Sequence, residues 1–396
     1  MATPPDTLPP TPINVRRRPS LDFSLTGLVY CSMMMFMGLA AMNTQANLLF
    51  GVFGLMIGVL IVCAVVSRIV LRKLQVRRNL PEHGVVGEPM LVYYEITNGK
   101  RFWPSLSISL AELDGIDEFT RQPQCYMLHA ARKMTATVPV ELTPRRRGLH
   151  ELDHFQLATS FPFGFVKRAV VERHKDVLCI FPALAEVDRR VIALCRATDN
   201  AGQSQRPRSG GMDEFYGLRE FRPSDNPRLI YWRRSARTGV LVAKEMTRAT
   251  PPRLMILVDT HLGDFSPQQR GLVERTIAMA ASLASAALEQ DLSVGLCAWS
   301  DKPVTLNPTR GKQQRQELLT FLACLPDNTM FEGARLLEHA DWIMKKGTTL
   351  VMLTPRCLGS RYSEPSRGGI VFLSAQTEAK ADRFRFRPTV QFGNAK

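Results

Sequence analysis

The sequence predicts a two-helix transmembrane hairpin, then a small β-sandwich-like domain, then an α/β domain with a largely parallel sheet. Three observations carry this. Two uncharged apolar runs, 25–42 and 48–67, are each close to the roughly 20 residues that cross a bilayer core. Residues 80–183 alternate short strand-like runs with turn signals. Residues 205–380 alternate continuous apolar runs with helical patterns, as strand–helix–strand units do.

At 396 residues and 45% hydrophobic content, the chain is long enough for two globular parts. Its net charge of +15 favours acidic partners: lipid head groups, nucleic acid or an acidic protein face. The eight cysteines (31, 63, 125, 179, 195, 297, 324 and 357) form no CxxC pair. That pattern reads as buried thiols in a reducing compartment, and it argues against a disulfide framework and a zinc site.

The N-terminal part is taken first. Residues 1–24 begin proline-rich, carry Arg16, Arg17 and Arg18, and read as a disordered basic tail. The two apolar runs are joined only by "NTQAN", which forces antiparallel neighbours. A cleaved signal peptide is disfavoured, because no small-x-small cleavage site follows the first run and a second run comes at once. Basic residues flank both runs and are missing from the connection, so the positive-inside rule puts both termini in the cytoplasm. Arg68, Arg72, Lys73, Arg77 and Arg78 follow the second run. They are expected against anionic lipid, at about 1 kcal/mol each near the surface.

In the middle region, "EPMLVYYEITNGKRFWPSLSISLAEL" reads as two strands joined by an Asn-Gly-Lys turn. "MTATVPVEL" is a further strand, the stretch after "RRRG" another, and "VLCIFP" a short buried one. His150 and His154 lie four apart, too far along a strand to share an ion, and read as solvent-facing polar residues. "FPFGF" (161–165) reads as an aromatic turn capping the edge of a core.

In the C-terminal region, "RLMILVDT" (253–260) is a buried strand ending near Asp259. Residues 266–290 form an amphipathic helix with Ser266 as N-cap, Pro267 at the first position, and Leu272, Thr276, Met279, Leu283 and Ala287 on one stripe. Strand 292–300, helix 311–325, helix 333–347 and strands 348–355 and 369–375 follow. Ligands of such sheets sit at the carboxyl ends of strands, which draws attention to Asp259.

The stretch "REFRPSDNPRLIYWRRSARTGVLVAKE", followed closely by an apolar strand ending in Asp, resembles the bacterial family catalogued as domain of unknown function 58. The matching positions are Arg219, Pro223, Asp225, Arg228, Ile230, Trp232, Arg233, Ala236, Arg237, Leu241 and Lys244. Ser224 departs where glycine is usual, and Asn226 where aspartate is common. "RRRGLHELDHFQLATSFPFGFVKR" and the N-terminal hairpin are also similar to that family. The resemblance implies a bacterial inner-membrane protein whose C-terminal part is similar to von Willebrand factor A domains. It further implies a setting beside MoxR-type AAA+ ATPases and transglutaminase-like membrane proteins, with no enzymatic activity established. Von Willebrand A domains often bind Mg²⁺ through Asp-x-Ser-x-Ser; here Asp259, His261 and Gly263 stand at those positions, so the site is degraded, with Asp259 and then Thr260 or Asp264 as its remaining oxygen ligands, and no cofactor is expected.

The arginine-rich stretch leaves three readings open. Between Arg206 and Arg248 there are ten basic and five acidic residues, with Phe215, Tyr216, Phe221, Tyr231 and Trp232 between them. Nucleic-acid binding is disfavoured, since no known module matches and an anchor would hold the chain at the membrane. A protein-docking face is the second reading, because arginine and aromatics are enriched at interface hot spots. The third is a structural clamp: Asp225 paired with Arg222, Arg228 or Arg233, Trp232 packed beneath the sheet, and "VLVAKE" an edge strand beside "LMILVDT". A clamp with exposed arginines left over for docking joins the last two, with Arg219, Arg222, Asp225, Arg228, Trp232, Arg233, Arg234 and Arg237 as the interaction residues. The function expected is a membrane-anchored cytoplasmic adaptor or scaffold. The alternatives are an enzyme with a site near Asp259, or an anionic-lipid or nucleic-acid binder. No nucleophile elbow, P-loop or HExxH motif is present.

Overall fold

The computed structural model describes residues 20–202, 209–223, 225–247, 253–261, 266–300, 302–326, 336, 348–356, 370–390 and 392. Residues 1–19 of the expected disordered tail, the helix expected at 333–347 except Leu336, and Ser224, Gly263 and Asp264 lie outside them, whereas residues 20–23 of that tail form a strand paired with residues 166–169. The chain divides into two units, residues 1–183 with 388–390, and residues 184–387 with 391–396.

The first unit opens with β1 (Ser20–Phe23), α1 (Leu25–Thr44) and α2 (Asn47–Leu71). Both helices are long and apolar enough to cross a membrane. At 1.5 Å per residue they measure about 30 and 37 Å, against a hydrocarbon core of about 30 Å. They pack on each other where Gly38 faces the Phe53 ring and Tyr30 Oη donates to the Met56 carbonyl at 3.2 Å. Outward they present a band of exposed Leu, Met, Phe, Val and Ile, among them Leu25, Phe36, Met42 and Leu55.

Eight strands follow: β2 (Leu74–Asn79), β3 (His83–Val85), β4 (Met90–Asn98), β5 (Ser105–Glu112), β6 (Gln124–Ala130), β7 (Thr135–Leu142), β8 (Gly148–Thr159) and β9 (Val166–Phe181). They build two sheets, β1-β9-β8-β5-β6 with β3 alongside β9, and β2-β4-β7. Side chains of both sheets share one core, including Tyr94 and Ile96 from the smaller and Ile108, Leu157 and Ile180 from the larger. Strand β7 alternates strictly between exposed and half-buried positions up to its last residue, the mark of a sheet with one covered face.

Four expectations are corrected here. The Asn-Gly-Lys segment does not close a hairpin: β4 and β5 lie in different sheets, so the turn crosses the core. Asn98 is fully buried, and its amide donates to the Trp103 and Ala130 carbonyls, which re-aims the chain. "VLCIFP" is the end of the sixteen-residue β9 rather than a separate strand. His150 and His154 are not plain solvent-facing residues: His150 shares the inward face of β8 with Leu152, and His154, beyond a bulge after Leu152, is half-buried. His150 is buried with Nδ1 against the Glu118 carboxylate, and the His154 ring lies 3.1 Å from Asp114 Oδ2.

The fourth correction is Arg78, which is inside the core and not at lipid. From β2 its guanidinium grips Glu112 of β5 with two bonds of 3.0 Å. It also donates to Asp176 of β9 at 2.6 Å and to the Leu152 carbonyl at 3.0 Å, while Tyr94 of β4 donates to Glu112 at 2.8 Å. Burial alone would lower the Arg78 pKa; the Glu112 and Asp176 carboxylates outweigh it and hold the group charged. Arg68, Arg72, Lys73 and Arg77 stay exposed.

Lys100 ties the crossing turn to α2. Its ammonium donates to the Ile69 and Val70 carbonyls at 3.0 and 2.6 Å and meets Ser105 Oγ. The Val70 carbonyl is among those the helix end leaves without an internal partner, and the Ile69 carbonyl also accepts the Arg72 N–H.

The second unit holds β10 (Glu186–Val187), α3 (Arg189–Gly202), β11 (Ser209–Glu220), α4 (Trp232–Thr238), β12 (Val242–Thr247), β13 (Arg253–Val258), α5 (Pro267–Glu289), β14 (Ser293–Trp299), β15 (Pro303–Thr309), α6 (Lys312–Cys324), β16 (Thr348–Thr354), β17 (Ile370–Ser374), α7 (Ala375–Ala381) and β18 (Phe384–Arg385). The main sheet runs β15-β14-β13-β16-β17, parallel throughout except for the edge strand β15. Strand β15, which had no counterpart in the sequence reading, forms a hairpin with β14. The core of β13 is buried on both faces, as its unbroken apolar run requires. Helix α5 is also apolar enough to cross a membrane, yet 72% of its apolar window is buried inside the fold. Ser266 accepts from the Gln269 N–H at 3.3 Å, as expected of an N-cap. "VLVAKE" does not join β13; β12 pairs with β11 in a separate ribbon.

Two outcomes test the first unit. Arg78→Met leaves Glu112 buried without its cation and is expected to cost about 3–5 kcal/mol, measured by chemical denaturation in micelles. Adding Glu112→Leu should recover most of that; a loss below about 1 kcal/mol for the single variant would show the pair to be dispensable. The second outcome concerns Lys100, whose pKa burial lowers to about 8 from 10.5. Between those values the unfolded chain holds the proton and the folded protein does not, so stability should rise with pH across that window. Lys100→Met should remove that rise and destabilise the unit by about 1–3 kcal/mol at neutral pH.

Candidate functional site

The arginine-rich stretch folds as an elaborated ribbon. Strands β11 and β12 pair antiparallel from Glu214 to Thr247 and from Glu220 to Val242. The connection between them holds a short 3-10 turn (Pro227–Leu229) and α4. Asn226 Oδ1 accepts the Arg228 N–H at 3.0 Å and starts the turn, with Pro227 at the first position, where a missing N–H costs nothing. Helix α4 ends at Gly239, whose φ of 71° is the left-handed conformation glycine adopts freely.

Three sets of bonds close the connection onto the ribbon. Phe221 N–H donates to the Leu241 carbonyl at 2.8 Å, and Tyr231 N–H to the Val242 carbonyl at 2.8 Å. Buried Ser235 accepts from the Val242 N–H at 2.9 Å and donates to the Tyr231 carbonyl at 3.1 Å. Arg219 makes a bidentate pair with Asp225, both bonds 2.6 Å, and Asp225 also accepts the Arg222 N–H at 2.9 Å. The Arg219 bonds, and then the Arg222 N–H, hold the Asp225 carboxyl below the ordinary aspartate range. Lys244 Nζ lies 5.3 Å from the centre of the Tyr231 ring.

The clamp is therefore present, with its parts reassigned. Asp225 binds the side chain of Arg219, and Arg222 contributes only its backbone N–H. Arg228 and Arg233 do not pair with it. Trp232 does not pack beneath a sheet: it starts α4 and is 65% exposed. Arg222, Arg228, Arg233, Arg234 and Arg237 are exposed, and none makes an ion pair among the described residues. Val240 and Leu241 are exposed beside them. The surface is thus strongly cationic with an aromatic and aliphatic component, fixed on a hydrogen-bonded frame. The sequence reading missed α4: Gly239 after it is a stop signal, but its N-cap, Tyr231, makes no side-chain cap bond.

Asp259 follows β13 at the carboxyl end of the parallel sheet. Its N–H donates to the Leu353 carbonyl at 2.9 Å, and its Oδ1 accepts the His261 N–H at 3.0 Å. Thr260 beside it is buried, and its hydroxyl has no hydrogen-bond partner among the described residues. Among the described residues no group of three His, Cys, Asp or Glu is placed to hold a metal ion. The seven described cysteines are free.

Asp225→Asn tests the clamp. The Arg222 amide and its neighbours should exchange hydrogen several-fold faster in the variant, measured by mass spectrometry of peptides spanning 219–231. In wild type the protection should persist as pH falls to about 4 and be lost only below the ordinary aspartate range, because the depressed carboxyl stays charged until then. Equal exchange rates in the two proteins would remove Asp225 from the frame.

A search of the curated proteins finds no match to this chain. A family model matches residues 217–354, which take in the clamp, α4, β13, α5, β14, β15, α6 and β16; the helical pair and the residues around "FPFGF" lie outside the matched stretch. Over these residues the chain matches the family described as Protein of unknown function DUF58.

Proposed function

We propose that this protein is a membrane-anchored adaptor or scaffold whose clamped arginine surface docks an acidic face of a MoxR-type AAA+ ATPase, in the assembly of envelope or other complexes. The observation that carries the reading is the set of five exposed arginines around Trp232, held in place by bonds that none of their side chains supplies. Exposed cations on a fixed frame attract an acidic surface at long range, and a neighbouring aromatic supplies the desolvated contact that gives affinity.

The anchor is a transmembrane hairpin of α1 and α2 in the bacterial inner membrane. The pairing of β1 with β9 supports it: the strand before α1 and the sheet after α2 must share one side of any membrane the helices cross. The basic flanks assign that side to the cytoplasm. The second unit reads as a von Willebrand A-like domain, a reading supported by its parallel sheet with one antiparallel edge strand. A transglutaminase-like membrane protein is the other partner in this reading, and exposed Arg68, Arg72, Lys73 and Arg77 meet anionic lipid.

The test is capture of an identified AAA+ ATPase from solubilised membranes, with ATP and Mg²⁺, by wild type and by the variant Arg222→Glu/Arg233→Glu/Arg234→Glu. The variant should keep its circular dichroism spectrum and lose at least tenfold of the captured ATPase. Retained capture by a folded variant would move the docking site elsewhere. Wild type that captures no such ATPase would sink the adaptor reading and turn attention to a ligand near Asp259.

A further inference from the structure

Two loops of the first unit are fastened to the two helix ends that face the sheets, and both carry exposed aromatics. The loop after β4 is held at the C-terminal end of α2. Gly99 N–H donates to the Lys73 carbonyl at 3.0 Å, and the Lys100 ammonium grips the Ile69 and Val70 carbonyls. The loop then turns Phe102 and Trp103 outward, 72% and 59% exposed, with the Arg101 guanidinium 5.4 Å from the Phe102 ring centre.

The loop after β8 is held at the start of α1 in the same way. Ser24 N–H donates to the Phe165 carbonyl at 3.1 Å, Thr26 Oγ1 donates to the Gly164 carbonyl at 3.3 Å, and the Phe165 ring stacks on Tyr30 at 4.3 Å. Gly27 allows the contact: a Cβ there would lie 2.0 Å from the Phe165 carbonyl oxygen. This loop leaves Phe163 59% exposed, and Phe23 beside it is 61% exposed.

A large apolar ring in water is expensive, and each of these loops is fastened by hydrogen bonds that hold its ring there. Their level is set by the helices. If α1 and α2 span a bilayer, residues 24–26 and 69–73 mark one membrane surface, and both aromatic loops lie at that surface. Tryptophan and phenylalanine flanked by arginine are the side chains that partition into the head-group region. The exposed cations Arg68, Arg72 and Lys73 lie at that end of α2 and complement an anionic leaflet.

We infer that the β-sheet unit is seated on the bilayer, with Phe102 and Trp103 at the end of α2 and Phe163 at the start of α1 inserted among the lipid head groups. The inference rests on the membrane-spanning reading of the helices and adds a second mode of attachment to it. Lys100 and Gly27 are the fasteners that fix loop against helix.

Trp103 is its own probe, since the other tryptophans, 232, 299 and 342, all lie beyond residue 183. The full-length protein is reconstituted into phosphatidylcholine/phosphatidylglycerol vesicles containing phosphatidylcholine brominated at shallow or deep acyl positions. The emission difference between wild type and Trp103→Phe is compared with and without bromine, and flotation after alkaline carbonate reports on the helices. The expected result is flotation together with a difference spectrum quenched at least twofold by the shallow bromine and less by the deep one. A floating protein whose Trp103 emission ignores bromine and is quenched by aqueous iodide overturns the seating and leaves the anchor intact. Protein stripped by carbonate overturns both. Should Trp103→Phe fail to fold, Arg101→Glu/Phe102→Ser keeps the tryptophan. Lower bromine quenching in that variant than in wild type supports the seating, and unchanged quenching overturns it.

Discussion

The first unit depends on one buried arginine. Arg78 stands on the smaller sheet, and its partners Glu112 and Asp176 stand on the larger, so one guanidinium joins the two layers across their shared apolar core. A buried pair of this kind adds little net stability compared with a well-packed apolar substitute. What it does add is register. Apolar faces slide over one another at small cost, whereas a fork of hydrogen bonds fits one alignment, and Tyr94 fills a further acceptor site on Glu112.

The helix-to-sheet junction shows the same economy. Val70, Leu71 and Leu74 belong to the sandwich core, so α2 does not stop at the domain but runs into it. A helix end buried in protein needs donors for its last carbonyls, and Lys100 supplies them from a loop that sequence alone marks as a plain turn. The second unit is organised differently. Its sheet is covered by helices, and its arginine-rich ribbon is closed by backbone bonds and one bidentate ion pair, leaving the remaining arginine side chains for outside contacts.

Much of this was legible in the residues, and the failures share a cause. The apolar helices, the N-cap at Ser266 and the parallel strands are set by local composition and spacing, which act within a few residues. The arginine stretch was legible as a clamp with spare cations, because Asp225 is an isolated acid among bases. Its partner was misjudged: Arg222 is closer in sequence, but a turn at Pro223 directs that side chain away and returns the chain to Arg219. Arg78 was read with the juxtamembrane arginines because a charge looks the same in sequence whether lipid or a buried carboxylate receives it. Asn-Gly-Lys likewise reads the same whether its strands pair or part into separate sheets. Such choices are made by contacts distant in sequence. Trp232 and α4 lay between the two cases, since the stop signal at Gly239 was visible but the exposed face was not.

The pairing of β1 with β9 has a bearing on how the protein is made. Residues 20–23 leave the ribosome first, yet their partners at 166–169 come only after both helices and most of the sheets. At ordinary translation rates that interval is on the order of ten seconds. Throughout it the strand has no mate, and the sheet cannot be completed from its own end. Closure of that edge must therefore follow synthesis of both helices, and β1 waits for a partner strand made much later. Until then the nascent chain carries an open sheet edge together with two apolar helices, a combination that invites aggregation.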